Sequence, residues 1–535
     1  MGNAGLLVEE IDRRIGEGSI RGKADLNRAK ADFCRDAGIG EVPGDADLLA
    51  AARAADPALA ARLLPWLRTK PMRTLSGVAV VAVMTSPAHC PHGRCTFCPG
   101  GVEAGSPQAY TGFEPAALRG ARANFDAGLQ VDGRLKQLAA TGHRTDKVDL
   151  IVMGGTFTAR EGDYQETFVK GALDAMNQAP SASLEEASTR NETAPSRCIG
   201  LTVETKPDWC KAAHVRRMLA YGTTRVEIGA QCFDDAALER VHRGHTVADT
   251  VEATREAKDA GLKVGYHLMP GLPGMTEGKD IEGFRRLFDD PALRPDQLKV
   301  YPTLVLPQTG LYAEWKRGEF EPYDDEKAAR VVASLKEVVP TYTRIQRVDR
   351  DIPSPMIAAG VKKSNLRQLA LAELARRGRA CQCIRCREAG HRANKGEQVE
   401  LEGELELKRH AYDSAGGREL FLEFVDGAGA LHAFARARLT GGDGAAGSRA
   451  GDAFLRELRV VGRVAEFGLD PPKADSARFQ HRGLGGKLME EVERTAFEEW
   501  GAPVVRVTAG VGVRGYYRGL GYRLEPPYMV RGRGA

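Results

Sequence analysis

The sequence predicts an α/β protein in two folded parts: a partial parallel barrel of six strand-helix units, followed by a smaller mixed α+β domain. Apolar segments alternate with amphipathic ones from about residue 76 to 365, and short alternating segments follow from about residue 399. The first pattern is typical of parallel sheets and the second of antiparallel ones. A chain of 535 residues is also too long for a single core.

Six apolar segments are the candidate barrel strands. They read VAVVAVMT, KVDLIVMGG, CIGLTVETK, TRVEIGAQ, LKVGYHLMPG and QLKVYPTLVL. The carboxyl ends of parallel barrel strands meet at one mouth, where barrel enzymes carry their chemistry. Binding residues are therefore expected at or near these strand ends, at Gly154, Gly155, Thr156, Glu204, Arg225 and Gln231.

The remaining segments divide into three regions. Residues 1–75 are Ala-rich and end in the basic stretch LRTKPMRTL, which predicts a helical extension rather than an independent domain. Between the barrel, residues 76–365, and the second domain, residues 399–535, a compact cysteine-bearing linker is expected over residues 366–398. Residues 180–197, rich in Ser, Thr and Glu, predict a flexible surface insertion.

Composition narrows the class of protein. With 42% hydrophobic and 28% charged residues, the chain is expected to be globular rather than fibrous or disordered. No run of 18 apolar residues and no signal-like start are present, so neither a membrane span nor secretion is expected, and the predicted location is cytoplasmic. A net charge of +4 is too small to indicate a nucleic-acid partner by itself.

The first cysteine cluster follows the first predicted strand directly. Cys90, Cys95 and Cys98 have the spacing C-x4-C-x2-C. Three thiolates can hold three irons of a 4Fe-4S cluster and leave the fourth iron open to chelate S-adenosylmethionine (SAM), whose reductive cleavage releases a 5′-deoxyadenosyl radical. SAM would then contact the strand-end residues named above, and an external electron donor would be needed. The alternative is a structural zinc site completed by His89 or His92.

A second cluster lies in the linker. Cys381, Cys383 and Cys386 are spaced C-x-C-x2-C, and His391 follows five residues later. This pattern predicts a zinc site in which the fourth ligand is His391 or a residue from elsewhere.

The second domain contains a glycine loop at the start of a predicted helix. The segment FQHRGLGGKLMEEVERTAFEEW carries Q-x-x-G-x-G, which exposes backbone N–H groups suited to a pyrophosphate. The strand ELRV precedes it, and GVRGYYRGLGY places two tyrosines on a following helix. This order resembles the Gcn5-related acetyltransferase fold and predicts an acetyl-CoA site.

Longer motifs support one specific resemblance. From about residue 70 onward, CPHGRCTFCPGG, SPQAYTGFEP, DKVDLIVMGGTF, RVEIGAQCFDDAALERVHRGHT, HLMPGLPG and GYYRGLGYRLEPPYMV resemble the catalytic subunit of Elongator. The resemblance implies a radical-SAM partial (β/α)6 barrel, a cluster on the first three cysteines, and catalytic candidates Lys147, Tyr516 and Tyr517. It implies acetyl-CoA contacts from Lys147, Glu457, Leu458, Arg459, Val460, Leu484, Gly485, Gly486 and Tyr517.

The reaction that this resemblance implies builds a carboxymethyl group on C5 of the wobble uridine, using SAM and acetyl-CoA, with the tRNA anticodon stem-loop as partner. Accessory subunits or a homodimer are further expected partners. Basic residues that could hold tRNA phosphates are Arg68, Lys70, Arg73, Lys362, Lys363 and Arg367. Two alternatives stay open: a protein lysine acetyltransferase with Glu457 as general base, and a tRNA-binding scaffold without turnover.

Overall fold

The computed structural model describes residues 3–400, 404–461 and 483–534. Its first part is a bundle of four helices: α1 (Asn3–Gly16), α2 (Lys23–Asp36), α3 (Asp45–Ala55) and α4 (Pro57–Leu67). Leu7, Ile11, Leu49 and Leu63 are buried in a hydrophobic core that these helices share. The helices predicted for this region are present, and they have a core of their own.

The central part is a curled sheet of seven parallel strands in sequential order. Its strands are β1 (Ala79–Met84), β2 (Lys147–Met153), β3 (Arg197–Thr205), β4 (Arg225–Gln231), β5 (Lys263–Leu268), β6 (Gln297–Val300) and β7 (Arg344–Val348). The six predicted strands are all present. The seventh, with the sequence RIQRV, is not predicted from sequence because it lacks an apolar run.

Helices join these strands and cover the outer face of the sheet. They are α5 (Pro115–Arg122), α6 (Ala127–Ala140), α7 (Gly162–Asn177), α8 (Leu184–Asn191), α9 (Ala212–Ala220), α10 (Asp235–Arg240), α11 (Val247–Asp259), α12 (Glu277–Asp289), α13 (Gly310–Lys316) and α14 (Asp325–Val338). Val148, Leu150 and Val152 of β2 share a buried core with Val169 and Leu173 of α7. Alternate strand residues are left to face the barrel interior.

Helix α8 corrects one expectation. Residues 180–197 were expected to be a flexible insertion, but Leu184–Asn191 is helical. The Ser183 hydroxyl accepts from the Glu186 N–H, and the fully buried Asn191 donates to Asn177 Oδ1 at 2.8 Å. The Ser, Thr and Glu content of this segment belongs to a capped surface helix with one buried polar anchor.

The C-terminal part is a second, mixed sheet in the order β13-β14-β12-β11-β10-β9-β8. Its strands are β8 (Glu406–Ser414), β9 (Gly417–Val425), β10 (Leu431–Leu439), β11 (Ala453–Val460), β12 (Val504–Val507), β13 (Arg523–Glu525) and β14 (Tyr528–Gly532). The linker helices are α15 (Leu366–Arg376), α16 (Ile384–Arg387) and α17 (Ala389–Asn394), and the C-terminal helices are α18 (Leu484–Arg494) and α19 (Arg514–Gly519). Strands β11 and β12 pair in parallel, and the other pairs are antiparallel.

Buried ion pairs join the second sheet to the barrel. The Arg456 guanidinium donates to Asp296 Oδ2 at 2.7 Å and to Glu419 Oε2 at 2.7 Å, and all three side chains are fully buried. Arg438 donates from Nε to Asp259 Oδ1 at 2.9 Å. A Cβ added at Gly510 would lie 2.3 Å from the Ile199 carbonyl oxygen, so the backbones of the two parts are in contact there.

No helix within the described residues has the length and hydropathy needed to cross a bilayer.

We predict that Arg456→Met destabilises the protein by about 3–5 kcal/mol, because it removes a buried cation that donates hydrogen bonds to both Asp296 and Glu419. The free energy of unfolding from urea titration measures this loss. Arg409→Met is the matched control, since Arg409 pairs with Glu491 and Glu499 at the surface and should cost no more than about 1 kcal/mol. Equal losses in the two variants would contradict the structural role given to Arg456.

Candidate active site

A first cavity opens at the carboxyl ends of the barrel strands. The cysteines Cys90, Cys95 and Cys98 line it, and four of the predicted SAM-binding residues line the same cavity: Gly155, Thr156, Glu204 and Gln231. Gly154 directly precedes the lining residue Gly155 in the sequence. The structure therefore brings the first cysteine cluster together with the strand-end residues that the sequence singled out.

The three thiols lie in a polar but poorly solvated environment. The Ala109 N–H donates to Cys98 Sγ at 3.1 Å, while Cys95 Sγ lies 3.2 Å from His92 Nε2 and 3.8 Å from Arg243 Nη1. Burial raises the pKa of Cys98 to about 11, since a buried thiolate loses its hydration. A thiolate here is favoured when a metal cation binds it.

The three thiols are less compact than the ligands of a single zinc ion. Around one tetrahedral zinc with Zn–S bonds of about 2.3 Å, ligand sulfurs lie about 3.8 Å apart. Among the described residues, Cys90, Cys95 and Cys98 do not form a group with all ligand atoms within 4.8 Å. The three thiols are therefore not gathered around the position of one tetrahedral ion in this structure.

The cavity wall also carries unpaired polar groups. Gln108 Oε1 and Gln231 Oε1 belong to residues that line it, and both oxygens are buried without a hydrogen-bond partner. Buried acceptors without a partner are uncommon in folded proteins and are explained when a ligand supplies donors. The SAM amino group is such a donor.

Gly154 and Gly155 bring the backbone close to this wall. Gly154 has φ +130°, and a Cβ added there would lie 2.0 Å from Thr85 Oγ1. Gly155 has φ +92°, and its added Cβ would lie 3.2 Å from Gln108 Cβ. Both the backbone conformation and the space therefore require glycine at these positions.

A buried charged network around Glu227 adjoins the cavity. Lys299 Nζ contacts Glu227 Oε2 and lies 3.5 Å from Glu204 Oε1, and His267 Nε2 lies 3.1 Å from Glu227 Oε2. Although burial raises the pKa of Glu227, Lys299 and His267 hold it well below the usual range. The Lys299 ammonium thus supplies the positive charge that these carboxylates need.

Two members of this network, His267 and Lys299, were not predicted from the sequence. His267 lies on β5, two residues after Gly265, and Lys299 lies on β6, two residues after Gln297. Alternation along these strands directs both side chains toward the interior, and this is the signal that could have found them.

Arg225 corrects a further expectation. It was expected to join the SAM residues near the end of β4, but it is the first residue of that strand and lines a different cavity at the opposite end of the barrel. Its Nη2 lies 3.4 Å from Asp149 Oδ2, and its Nε lies 3.7 Å from Glu227 Oε1.

This second cavity lies between the amino ends of the barrel strands and the second sheet. From the C-terminal part it is lined by the predicted residues Glu457, Leu458, Arg459, Val460, Leu484, Gly485, Gly486, Tyr516 and Tyr517. From the barrel it is lined by Asp149, Gly200, Thr224, Arg225 and Lys263, among others. The predicted acetyl-CoA residues of the second domain thus lie around one cavity to which the barrel contributes.

Two features of the second cavity suit a pantetheine diphosphate. Strand β12 pairs with β11 only over Ala453–Leu455, so within the described residues no strand pairs with 457–460 on the β12 side. Helix α18 begins at Leu484 without a side-chain cap, and an added Cβ at Gly486 meets nothing within 4 Å. Free backbone groups and an open helix start are therefore available to the arm and the pyrophosphate.

The two tyrosines and Lys147 differ in their positions. Tyr517 is buried and Tyr516 is 46% exposed, and burial raises the pKa of both phenols, which keeps them as neutral donors. Lys147 is the first residue of β2, at the same end of the barrel, but it is not among the residues that line the cavity. Gln480 of the predicted Q-x-x-G-x-G motif lies outside the described residues.

Sequence comparisons match most of the chain to known proteins. Models of the Radical SAM superfamily, the Radical SAM C-terminal domain and the ELP3 N-terminal domain match residues 85–288, 295–376 and 5–75. The chain is 45% identical to the tRNA uridine(34) acetyltransferase of Methanocaldococcus infernus, over 98% of each chain. It is 41% identical to human Elongator complex protein 3, over 98% of this chain and 96% of that protein.

The chain belongs to the Elongator complex protein 3 family. A solved structure of the Methanocaldococcus infernus Elp3 with residues 1–46 deleted matches 86% of this chain and 100% of its own, with a TM-score of 0.74 and 42% identity. The resemblance to the Elongator catalytic subunit is confirmed. The Radical SAM match implies that the protein uses a 4Fe-4S cluster and SAM, so it is an enzyme of the radical SAM type.

The linker cysteines form a compact group. The ligand atoms of Cys381, Cys383 and Cys386 lie within 4.8 Å of one another. Hydrogen bonds from Cys381 and Cys386 hold the pKa of Cys383 well below the usual range. His391 lies outside this group, and its Nε2 is 3.4 Å from Glu388 Oε2.

The six basic residues predicted to hold tRNA do not share one environment. Lys70, Arg73, Lys362 and Lys363 are exposed. Arg68 Nε donates to the Gly142 carbonyl at 2.9 Å, and Arg367 Nη2 donates to the Ile345 carbonyl at 3.1 Å. Burial lowers the pKa of Arg367, which lies near the linker cysteines rather than on the outer surface. Arg68 and Arg367 therefore have structural contacts that the sequence did not indicate.

We predict that Gly154→Ala destabilises the protein more than Gly93→Ala does. Gly93 also has positive φ, +87°, but an added Cβ there meets nothing within 4 Å, so it reports backbone strain alone, about 1 kcal/mol. The clash with Thr85 should add about 1–3 kcal/mol in the Gly154 variant. Unfolding in urea measures both, and similar values for the two variants would refute the close contact.

Proposed function

We propose that the protein forms the carboxymethyl group at C5 of the wobble uridine of tRNA, using acetyl-CoA as the source of the two carbons. The observation that carries this proposal is the pair of cavities on one barrel, the first with three cysteines and the second with the exposed backbone of an acetyltransferase-like sheet. The relative from Methanocaldococcus infernus, named as a tRNA uridine(34) acetyltransferase, supports the same substrate.

In the first cavity the residues of the chain bind and orient. Cys90, Cys95 and Cys98 would hold the cluster, which with SAM supplies hydrogen-abstracting chemistry when reduced by an external donor. The Tyr110 hydroxyl donates to Glu204 Oε2 at 2.8 Å and fixes this carboxylate at the cavity wall. Unpaired groups on Gln108 and Gln231 are available to the bound molecule.

In the second cavity we propose that residues 457–460 hold the pantetheine arm and that residues 484–486 hold the pyrophosphate. The Tyr517 phenol, a neutral donor in this cavity, is our candidate for a catalytic group, with Tyr516 beside it. Lys147 is a weaker candidate, because it does not line the cavity in this structure.

The lysine acetyltransferase alternative is not favoured by the environment of its expected base. Glu457 accepts from Arg436 Nε at 2.9 Å. Although burial raises its pKa, Arg436, Arg459 and Lys263 lower the pKa of Glu457 to about 2. A carboxylate with so low a pKa is a poor acceptor for the proton of an attacking amine.

Two arginines that line the first cavity are candidate contacts for an anticodon loop. They are Arg347 and Arg350, and the Arg350 guanidinium lies 5.8 Å from the centre of the Tyr301 ring. We propose that these cations contact tRNA phosphates, together with the exposed residues Lys70, Arg73, Lys362 and Lys363. The human relative is named as part of a complex, and we propose accessory subunits or a second copy as further partners.

We further propose one zinc ion at the linker cysteines. Their mutual approach within 4.8 Å suits thiolates on a single tetrahedral ion. The fourth ligand would be His391, which lies outside the cysteine group in this structure, or a water molecule. Arg344, which pairs with Glu388, ties this site to the last barrel strand.

We predict that anaerobically reconstituted protein, given reductant, SAM, acetyl-CoA and unmodified tRNA, forms 5-carboxymethyluridine at the wobble position. Cys95→Ala should abolish this product, because only two thiolates remain for the cluster. Nucleoside mass spectrometry measures the product, and Cys34→Ala, in the N-terminal helical core, is the control that should keep it. Acetylated protein without SAM, and no modified tRNA, would instead support the acetyltransferase alternative.

We also predict that Cys383→Ser loses zinc but keeps iron, because the two cysteine groups bind different metals. Elemental analysis of the purified protein measures both metals. Cys210→Ser is the matched control, since this buried cysteine belongs to neither group and should leave both metal contents unchanged. Iron loss in the Cys383 variant, with zinc retained, is the result that would exclude the assignment.

A further inference from the structure

The two cavities lie at opposite ends of the same barrel strands. On β3, Gly200 lines the second cavity and Glu204 lines the first. On β5, Lys263 lines the second cavity and His267 lines the first. At about 3.3 Å per residue, four residues along a strand span about 13 Å. The space between the cavities is therefore the interior of the barrel itself.

A single layer of inward-facing residues separates the two cavities. Alternation along the strands places Thr202 between Gly200 and Glu204, and Gly265 between Lys263 and His267. An added Cβ at Gly265 would lie 3.4 Å from Glu227 Cγ, as expected for a position that faces the interior. In this layer β3 therefore contributes only the small side chain of Thr202. Strand β5 contributes no side chain, because its residue in the layer is Gly265.

The intervening strand β4 bridges this layer with one loose contact. Arg225 lines the second cavity and Glu227 the first, and Arg225 Nε lies 3.7 Å from Glu227 Oε1. This distance is too long for a hydrogen bond. Arg225 Nε, Glu227 Oε1 and Thr202 Oγ1 are each buried without a hydrogen-bond partner. Polar atoms left unpaired inside a barrel mark a place where another polar group is received.

We propose that the barrel interior between Thr202, Arg225 and Gly265 binds the acyl-thioester end of acetyl-CoA, which enters from the second cavity. An acyl thioester carries no charge, a small methyl group and one carbonyl acceptor. The unpaired Arg225 N–H and the Thr202 hydroxyl supply donors for the carbonyl oxygen.

This inference rests on the proposed function, since it explains how a thioester anchored at the amino ends of the strands reaches a cavity at their carboxyl ends. It also gives Arg225 a role in binding the cofactor. A hydrogen bond from its Nε to the thioester oxygen would replace the loose contact with Glu227. The acyl group would then point toward the first cavity.

Bromoacetyl-CoA tests the proposal without turnover. Its bromine-bearing carbon alkylates a thiolate within reach, forming a C–S bond as bromide leaves. The full-length Thr202→Cys variant is treated with this probe, and the labelled cysteine is located by peptide mass spectrometry. The control is Val203→Cys, because Val203 is the next residue of β3 and faces the buried core instead.

We expect labelling at position 202 to be at least about tenfold faster than at position 203. The bound probe would hold its reactive carbon close to the cysteine at position 202, which raises the local concentration of the electrophile there. Excess acetyl-CoA should suppress this labelling. Gly265→Cys, with Val264→Cys as its control, provides a second pair should Thr202→Cys fail to fold.

Two outcomes overturn the proposal in different ways. In the first outcome, positions 202 and 203 are labelled at equal rates, as are positions 265 and 264, while bromoacetyl-CoA still displaces acetyl-CoA. This result overturns the interior site but does not contradict the proposed function. If neither the probe nor acetyl-CoA binds in calorimetry, the acetyl-CoA part of the proposed function fails and the interior site fails with it.

Discussion

The buried ion pairs Arg456–Asp296 and Arg438–Asp259 join the two large parts of the protein, and Glu419 of the second sheet shares Arg456 with Asp296. Arg456 lies on β11 and Asp296 directly before β6, so these contacts hold the second sheet against the amino ends of the barrel strands. Removing charged groups from water is costly, and such an arrangement persists only when each charge meets its partner. The second sheet consequently faces the amino end of the barrel across the second cavity, and the first cavity forms a mouth at the carboxyl end.

This arrangement divides the chemistry between the two ends of one set of strands. The cysteines and the glycine turn after β2 stand at the open mouth, where a large substrate can approach. The glycine loop and the tyrosines stand at the amino end, where residues of both parts line the second cavity. Neither part alone forms the second cavity, since Asp149, Arg225 and Lys263 come from the barrel and residues 457–460 from the second sheet.

Several features that are individually unfavourable become understandable in this setting. Gly154 and Gly155 adopt positive φ beside the cysteine cavity. Glu227 stays charged in the barrel because Lys299 and His267 compensate it. Unpaired atoms of three further residues lie at the cavity walls rather than in the packed core, on Gln108, Gln231 and Arg225. These particular local costs thus lie where ligands are expected to bind.

The six barrel strands, the cysteine spacing and the glycine loop could be predicted from the sequence, because each depends on residues that are close along the chain. The sequence did not indicate that Arg225 lines the second cavity, that residues 180–197 contain a capped helix, or that Arg367 contacts the Ile345 carbonyl. These facts depend on which strand end a residue occupies and on partners far away in the chain, such as Asn177 for Asn191. That two cavities share one barrel is likewise a property of the folded chain, because only the assembled sheet brings the first residues of β3, β4 and β5 against the second domain.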